Sequence, residues 1–265
     1  KGGMATKLAG SPNFVGGLAW RKSTLYVSSG TVGASGKKFQ ILAWSGWNGT
    51  TFTTKKAIYT APKRFDGFNG LAFGPDGRLY VGVDVGLTSN NDHGPANKTA
   101  YLYDILSMNT SGKSLKVFAS GIRQPWQLAF AKGSASPFVS NFGQDSPKSL
   151  NPPDSILRVH KGDNYGFPQC TRAKGSLCKG FAKPFKYFPA HTDVGGLAII
   201  GSRLYISEFG FAAPVHPAQV VSMPLTGGAV TPVLTGFVAP VVGLAAEGHW
   251  LYVGELTGQV FRVKQ

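Results

Sequence analysis

The sequence contains five copies of one short pattern, and this repetition constrains the fold more than any other feature. Each copy has a segment that opens on Gly-Leu-Ala, or Gln-Leu-Ala in the third copy, and about seven residues later a second segment of the Leu-Tyr-Val type. The repeat leucines lie 47 to 69 residues apart, at Leu18, Leu71, Leu128, Leu197 and Leu244. Short strands and turns repeated at such a period are typical of a β-propeller.

The sequence therefore predicts an all-β chain folded as a five-bladed β-propeller, with six blades as the alternative. The chain begins and ends within a blade. We expect the stretch from Ala5 to Ala9 to form a strand that pairs beside Gln259 to Lys264 and closes the ring. Such a joint would remove two free sheet edges that otherwise invite aggregation.

Composition agrees with one globular unit. No linker or composition break separates the repeats, so residues 1–265 are predicted to form a single propeller domain. The 36 glycines and 17 prolines suit many tight turns, and a charged fraction of 15% argues against disorder. No stretch of 18 apolar residues occurs, so we expect no membrane span. The chain starts at Lys1 with no apolar leader, which predicts that any signal peptide has been removed, and we expect a monomer.

The two cysteines lie in one polar loop. Cys170 and Cys178 are too far apart for a redox Cys-x-x-Cys motif, and no cluster with histidine supports a zinc site. We favour a disulfide that closes this loop, with a pair of free thiols as the alternative. A disulfide would place the protein in an oxidising compartment, either secreted or periplasmic.

The net charge of +15 favours a basic, solvated surface. The 27 lysines and arginines are scattered as short doublets in predicted turns, without the basic runs and interleaved aromatics of a nucleic-acid groove. Attraction to an acidic polysaccharide is the alternative, and we expect no nucleic acid partner.

The connectors between repeats should converge at one end of the propeller hub, where propellers usually bind ligands. The polar residues placed there could hold a polar ligand or a cation. They are Asp66, Asn69, Asp84, Arg123, Gln124, Asn141, His191, Asp193, Glu208 and Glu255. The carboxylates of Asp84, Glu208 and Glu255 are candidate metal ligands. His191 is the preferred acid or base because no other histidine lies on a repeat connector; a structural histidine is the alternative.

Two segments of the third repeat carry a family resemblance. Ser120–Phe130 and Asp154–Pro168 together resemble the soluble quinoprotein glucose and sorbosone dehydrogenases, and Phe73–Val81 and Phe237–Leu244 are further similar blocks. The resemblance implies that pyrroloquinoline quinone and calcium bind at the mouth of the central channel. It also implies oxidation of a sugar, with a histidine removing the hydroxyl proton while hydride passes to the quinone.

The resemblance also assigns cofactor residues. Arg123 matches the arginine of the family's Arg-Asn-Pro motif, although Gln124 replaces the asparagine, and Asn141 completes the predicted cofactor-binding set. Gly143 and Gln144 match the pair whose backbone carbonyl oxygens hold calcium, with Gln144 where proline is usual. Backbone ligands tolerate such a change of side chain.

The catalytic base departs from the family. The segment before the Gly-Pro-Asp turn contains no histidine, and Asp66 is the residue that could take the proton in its place. A second family arginine is replaced by Ala239.

We therefore expect an oxidoreductase that acts on a sugar or polyol with quinone and calcium. One alternative is a non-catalytic propeller that binds a saccharide or another partner. The other is a hydrolase or lyase that uses the carboxylates with a divalent cation, since a fold alone does not fix function.

Overall fold

The computed structural model describes residues 7–33, 36–85, 100–144, 151–171, 175–210 and 216–265. These residues form 19 β-strands and one short 3₁₀ helix, Gly175–Cys178. None of them belongs to a helix that could cross a membrane.

The strands form five antiparallel sheets, which are the five predicted blades. Blade 1 contains β1 (Phe14–Arg21), β2 (Thr24–Gly33), β3 (Gly36–Trp47) and β4 (Phe52–Thr60). Blade 2 contains β5 (Phe68–Phe73), β6 (Leu79–Val83), β7 (Ile105–Met108) and β8 (Lys116–Ala119). Blade 3 contains β9 (Pro125–Ala129), β10 (Phe138–Asn141), β11 (Asp154–Arg158) and β12 (Lys186–Phe188). Blade 4 contains β13 (Val194–Ile200), β14 (Arg203–Glu208), β15 (Gln219–Pro224) and β16 (Thr231–Leu234). Blade 5 has three strands, β17 (Val241–Glu247), β18 (Trp250–Glu255) and β19 (Val260–Lys264). The prediction of an all-β, five-bladed propeller is confirmed.

The repeat pattern explains how the blades stack. Side chains alternate between the two faces of a strand, so the leucine and alanine of each Gly-Leu-Ala segment point to opposite neighbours. In blade 4, Leu197 packs into a core with Phe138 of blade 3, whereas Ala198 and Tyr205 pack against blade 5. The same division builds the cores between blades 1 and 2 and between blades 2 and 3.

Glycines allow the inner strands to approach closely at the hub. A Cβ added to Gly70 would lie 2.7 Å from the carbonyl oxygen of Trp126, and one added to Gly196 would lie 2.5 Å from the backbone nitrogen of Leu244. Both distances are shorter than any normal contact, so the Gly-Leu-Ala pattern uses glycine where one blade meets the next.

The predicted ring closure is wrong for the described part of the N-terminal segment. Lys7, Leu8 and Ala9 form no strand, and β19 pairs only with β18 among the described residues. Instead, the Leu8 side chain packs on an apolar cluster of blade 1, and the Lys55 ammonium donates a hydrogen bond to the Ala9 carbonyl. Burial on blade 1 therefore replaces pairing with blade 5. Ala5 and Thr6, the rest of the predicted strand, lie outside the described residues.

The first and last blades each keep one uncovered face. Leu18 of blade 1 is 55% exposed, whereas its counterparts Leu71, Leu128, Leu197 and Leu244 are 2%, 2%, 3% and 8% exposed. At the other end of the series, a Cβ added to Gly243 would meet nothing within 4 Å. We call these surfaces the first end face (Leu18, Trp20) and the last end face (Gly243, Ala245, Tyr252).

Candidate functional site

Connectors of blades 2 and 3 meet at the predicted mouth of the hub. The backbone N–H of Gln124 donates to the Asn141 side-chain oxygen at 3.0 Å, and the Gln124 amide nitrogen lies 3.5 Å from a carboxylate oxygen of Asp84. The Asp84 N–H in turn donates to the carbonyl of Gly67, next to Asp66, at 2.9 Å. The structure thus brings Asp84, Gln124 and Asn141 together, with the Asp66 backbone next to the Gly67 carbonyl that Asp84 contacts.

Arg123 is buried beside this group, and its guanidinium is directed at backbone carbonyls. It donates to the Gly143 carbonyl and, at 3.4 Å, to that of Phe142. The cavity next to Arg123 is also lined by Gln144 and Cys170 and has a volume of about 30 Å³. That volume has room for a water molecule rather than for a sugar or quinone ring, so a larger ligand must lie outside it.

Asp154 links the mouth of blade 3 to that of blade 4. One carboxylate oxygen accepts the Gly143 N–H at 2.5 Å, and the other accepts the Asp193 N–H at 2.7 Å. Asp154 is only 1% exposed. The sequence pattern assigned Asp154 no role of its own and placed it only at the start of the resembling segment Asp154–Pro168. The available signal was an acidic residue at the head of an otherwise buried strand, a position that normally requires hydrogen-bond partners.

The connector that carries His191 is a tight turn held by Asp154. His191 and Asp193 both have left-handed backbone conformations, with φ of 62° and 51°. Between them, the buried Thr192 hydroxyl donates to the Pro189 carbonyl at 2.8 Å. Non-glycine residues in this conformation are strained and cluster at functional sites. Through Asp154, Gly143 and the Asp193 N–H, the turn that carries His191 is connected to the Arg123 guanidinium by one chain of hydrogen bonds.

Two predicted carboxylates lie at equivalent strand ends of blades 4 and 5. Glu208 accepts a hydrogen bond from the Gln219 amide at 2.6 Å. Burial raises the pKa of the Glu208 carboxyl, partly offset by that hydrogen bond and by the charge of His216. Glu255 is also buried, and its carboxylate accepts a hydrogen bond from the Thr257 hydroxyl at 3.4 Å. This contact lies within blade 5 rather than in the network around Arg123.

The predicted disulfide is confirmed. Cys170 and Cys178 are bonded, and the Cys170 N–H donates to the Gly166 carbonyl at 2.8 Å. Because Cys170 lines the cavity beside Arg123, the disulfide fixes the loop that forms one wall of the candidate site.

Calcium does not fit the position that the resemblance assigned to it. The Gly143 carbonyl accepts a hydrogen bond from the Arg123 guanidinium, and this positive charge opposes a cation at the same oxygen. No three histidine, cysteine, aspartate or glutamate side chains of the described residues group to hold a metal. Arg123 and Gln124 are of the chemical kind that would hold the carboxylates of a quinone, because they supply a positive charge and amide N–H groups.

Comparison with solved structures supports the propeller fold. One similar structure is a glucose dehydrogenase, with a TM-score of 0.73, 17% identity, and coverage of 92% of this chain and 78% of that chain. A putative oxidoreductase (glucose dehydrogenase) from Thermus thermophilus gives a TM-score of 0.68 and 20% identity over 90% of this chain and 76% of that chain. A nidogen/laminin complex gives 0.61 and 11% identity, over 94% and 75%. No protein-family model and no curated protein matches the chain. These identities show the shared fold alone.

Proposed function

We propose that the protein is a sugar dehydrogenase-like propeller that oxidises a sugar or polyol at the mouth formed by blades 2 to 4. The observation that carries this proposal is the buried Arg123 next to Gln124, Asn141 and Asp84, on a scaffold shared with glucose dehydrogenases. Arginine is well suited to bind a carboxylate. When bound, a quinone would supply the hydride acceptor for the reaction.

The residues of the chain take three roles in this proposal. Arg123 and Gln124 hold the anionic edge of the cofactor, and Asn141 fixes the Gln124 backbone through the 3.0 Å hydrogen bond. His191 is the preferred acceptor of the hydroxyl proton because its strained turn is anchored to the same network through Asp154. Asp66 is the second candidate, next to the Gly67 carbonyl that binds Asp84.

The test is dye reduction with pyrroloquinoline quinone, calcium and a panel of aldoses and polyols. The native chain should reduce the dye, and Arg123→Gln should require about 10-fold to 100-fold more quinone, as expected for one lost charge-assisted hydrogen bond. Arg158→Gln is the matched control, since Arg158 is exposed at the opposite end of the same sheet. A native chain that neither changes the quinone spectrum nor reduces the dye would end the proposal.

A binding propeller without catalysis is the second candidate. It is favoured by the Arg123 contact with the Gly143 carbonyl, which occupies the predicted metal ligand. Binding on a glycan array without turnover would support it. No observation favours the hydrolase or lyase alternative, which stays a prediction. We place the protein in a secreted or periplasmic compartment because of its disulfide.

A further inference from the structure

The positive charge of the chain is concentrated in its first quarter. Residues 1–65 contain ten lysines and arginines and no aspartate or glutamate, so they hold ten of the fifteen net positive charges. In blade 1 and the connector that follows it, the doublets Lys37-Lys38 and Lys63-Arg64 are exposed. A charge asymmetry of this size points to an anionic partner, since net charge governs association rather than fold.

The fold places these two doublets side by side. The ladder between β3 and β4 continues beyond β4, where the Ala61 N–H donates to the Phe39 carbonyl at 2.9 Å. The first doublet lies directly before Phe39, and the second follows Ala61 after one proline. Because paired antiparallel segments run in opposite directions, both doublets lie at the same end of blade 1. We call this surface the basic rim (Lys37, Lys38, Lys63, Arg64).

The basic rim adjoins the mouth of the hub. A Cβ added to Gly67 would lie 3.6 Å from the Phe39 ring and 3.1 Å from the Cβ of Asp84. The Asp84 carboxylate in turn contacts the Gln124 amide. The second doublet begins three residues before Asp66, which an extended chain spans in at most about 10 Å. A short oligosaccharide is therefore long enough to reach from the rim into the mouth.

The basic rim and the mouth carry opposite charges. None of the four rim side chains forms an ion pair with a carboxylate of the described residues. The mouth beside them carries the carboxylates of Asp66 and Asp84. The rim attracts an anionic group, whereas the carboxylates accept hydrogen bonds from neutral hydroxyls. The same carboxylates repel a ligand that presents phosphate groups to the mouth.

An exposed aromatic ring lies next to the basic rim. Phe14, at the start of β1, is 45% exposed. A Cβ added to Gly30 would lie 3.0 Å from the Phe39 ring and 3.4 Å from the Phe14 ring, so both rings lie on one side of blade 1. Aromatic side chains beside a few polar groups are typical of small-molecule sites. The apolar face of a sugar ring can pack on such a surface.

We propose that the mouth takes an acidic saccharide, whose carboxylate lies on the basic rim while a hydroxyl group enters the mouth. The inference rests on the proposed function and adds the class of saccharide and the residues that select it. Uronic acids, the units of many acidic polysaccharides, have such a carboxylate on a sugar ring. Each rim contact is solvated and individually weak. Selection therefore comes from four charges that act together and attract the ligand before it binds.

The test compares trigalacturonic acid with its methyl ester, which has the same sugar rings without the charges. Calorimetric titration of the native chain without quinone should show binding of the acid that is at least about 10-fold tighter at low salt. The difference should disappear at about 0.5 M salt, where screening shortens the reach of surface charges.

A matched pair of variants separates the basic rim from overall charge. The rim variant carries glutamine at all four rim positions and should bind the acid and the ester equally. The control variant loses the same number of charges from exposed positions at the opposite end of blades 2 and 3, and should keep the preference for the acid. Its substitutions are Lys113→Gln, Lys116→Gln, Lys132→Gln and Lys161→Gln. If the rim variant does not fold, the comparison of acid and ester on the native chain still decides.

Equal affinity of the native chain for the acid and the ester would overturn the inference, as would an equal loss of preference in both variants. A single-stranded oligonucleotide or a phosphatidylserine vesicle that binds as tightly as the acid, with the same dependence on the rim, would also overturn it. Dye reduction with neutral sugars alone would reject the acidic ligand and keep the proposed oxidation. Rim-dependent binding of the acid without dye reduction by any sugar would keep the ligand and reject the oxidation.

Discussion

The interface between blades 3 and 4 and the two end faces use one sequence pattern in opposite surroundings. Leu197 is 3% exposed beneath blade 3, whereas Leu18, at the same repeat position, is 55% exposed. The interface is also tied by the Ser140 hydroxyl, which donates to the Gly195 carbonyl of blade 4 at 2.7 Å, and by Asp154. The repeat therefore gives every blade apolar faces, and these faces contribute to stability only where a neighbouring blade buries them.

The largest expected difference in stability is between alanine variants of two leucines at the same repeat position, Leu197 and Leu18. Leu197→Ala should lower the free energy of unfolding by about 2 to 5 kcal/mol, because it leaves a cavity in a closed core. Leu18→Ala should change it by less than about 0.5 kcal/mol, as for most surface substitutions. Chemical denaturation of both variants measures this. Equal losses would mean that Leu18 is buried in solution and that the end faces are covered.

The polar part of the interface is tested next. Asp154→Asn should lower the free energy of unfolding by about 1.5 to 3 kcal/mol, because a charged acceptor of two backbone N–H groups is lost. Asp163→Asn is the control, since that carboxylate accepts the His160 N–H at 2.8 Å in an exposed turn. Asp154→Asn should also weaken ligand binding at the mouth, since Gly143 and Asp193 lose their anchor. A variant with native stability and native ligand binding would show that Asp154 neither stabilises the interface nor anchors the mouth.

Alanine substitutions at two glycines test the same comparison between a covered and an uncovered face, since Gly70 lies against blade 3 and Gly243 faces open space. Gly70→Ala should cost about 1 to 3 kcal/mol of stability, because the added methyl group collides with blade 3. Gly243→Ala should be nearly neutral, because the methyl group enters open space. Thermal melts of the two variants suffice. A substantial loss at Gly243 would indicate that another chain segment already contacts the last end face.

The last expected effect is a pH dependence from Asp104, which lies just before β7 of blade 2 and is only partly buried, so that solvent screening reduces its size. Burial raises the pKa of Asp104 from 3.8 to about 7. The folded state then holds the proton more tightly than the unfolded state, so stability should fall as pH rises from about 4 to about 7. Asp104→Asn should flatten that part of the profile, measured by denaturation at several pH values. An unchanged profile would assign the dependence to other groups.

The sequence was sufficient for the blades but insufficient for their closure. The Gly-Leu-Ala and Leu-Tyr-Val segments are local patterns with a fixed side-chain alternation, so each blade and its core face follow directly. Closure depends on a contact between distant parts of the chain, which no local pattern encodes. In the segment from Lys7 to Ala9, the Leu8 side chain packs on the apolar cluster of blade 1 instead.

The placement of some candidate residues near one another was predictable to a similar extent. Connector positions identified Asp84, Gln124 and Asn141 as neighbours because a propeller gathers its connectors at the hub. The Arg123 contact with the Gly143 carbonyl could not be predicted, because backbone carbonyl directions are set by the long connector in three dimensions. The role of Asp154 was not predictable for the same reason, since it accepts hydrogen bonds from two backbone N–H groups.

The most direct test of the account is a titration of pyrroloquinoline quinone into the protein, with calcium and with a chelator. Because the Arg123 guanidinium already binds the Gly143 carbonyl, we predict quinone binding that depends on Arg123 and is equally tight under both conditions. Binding that requires calcium, or that is unchanged in Arg123→Gln, would contradict it.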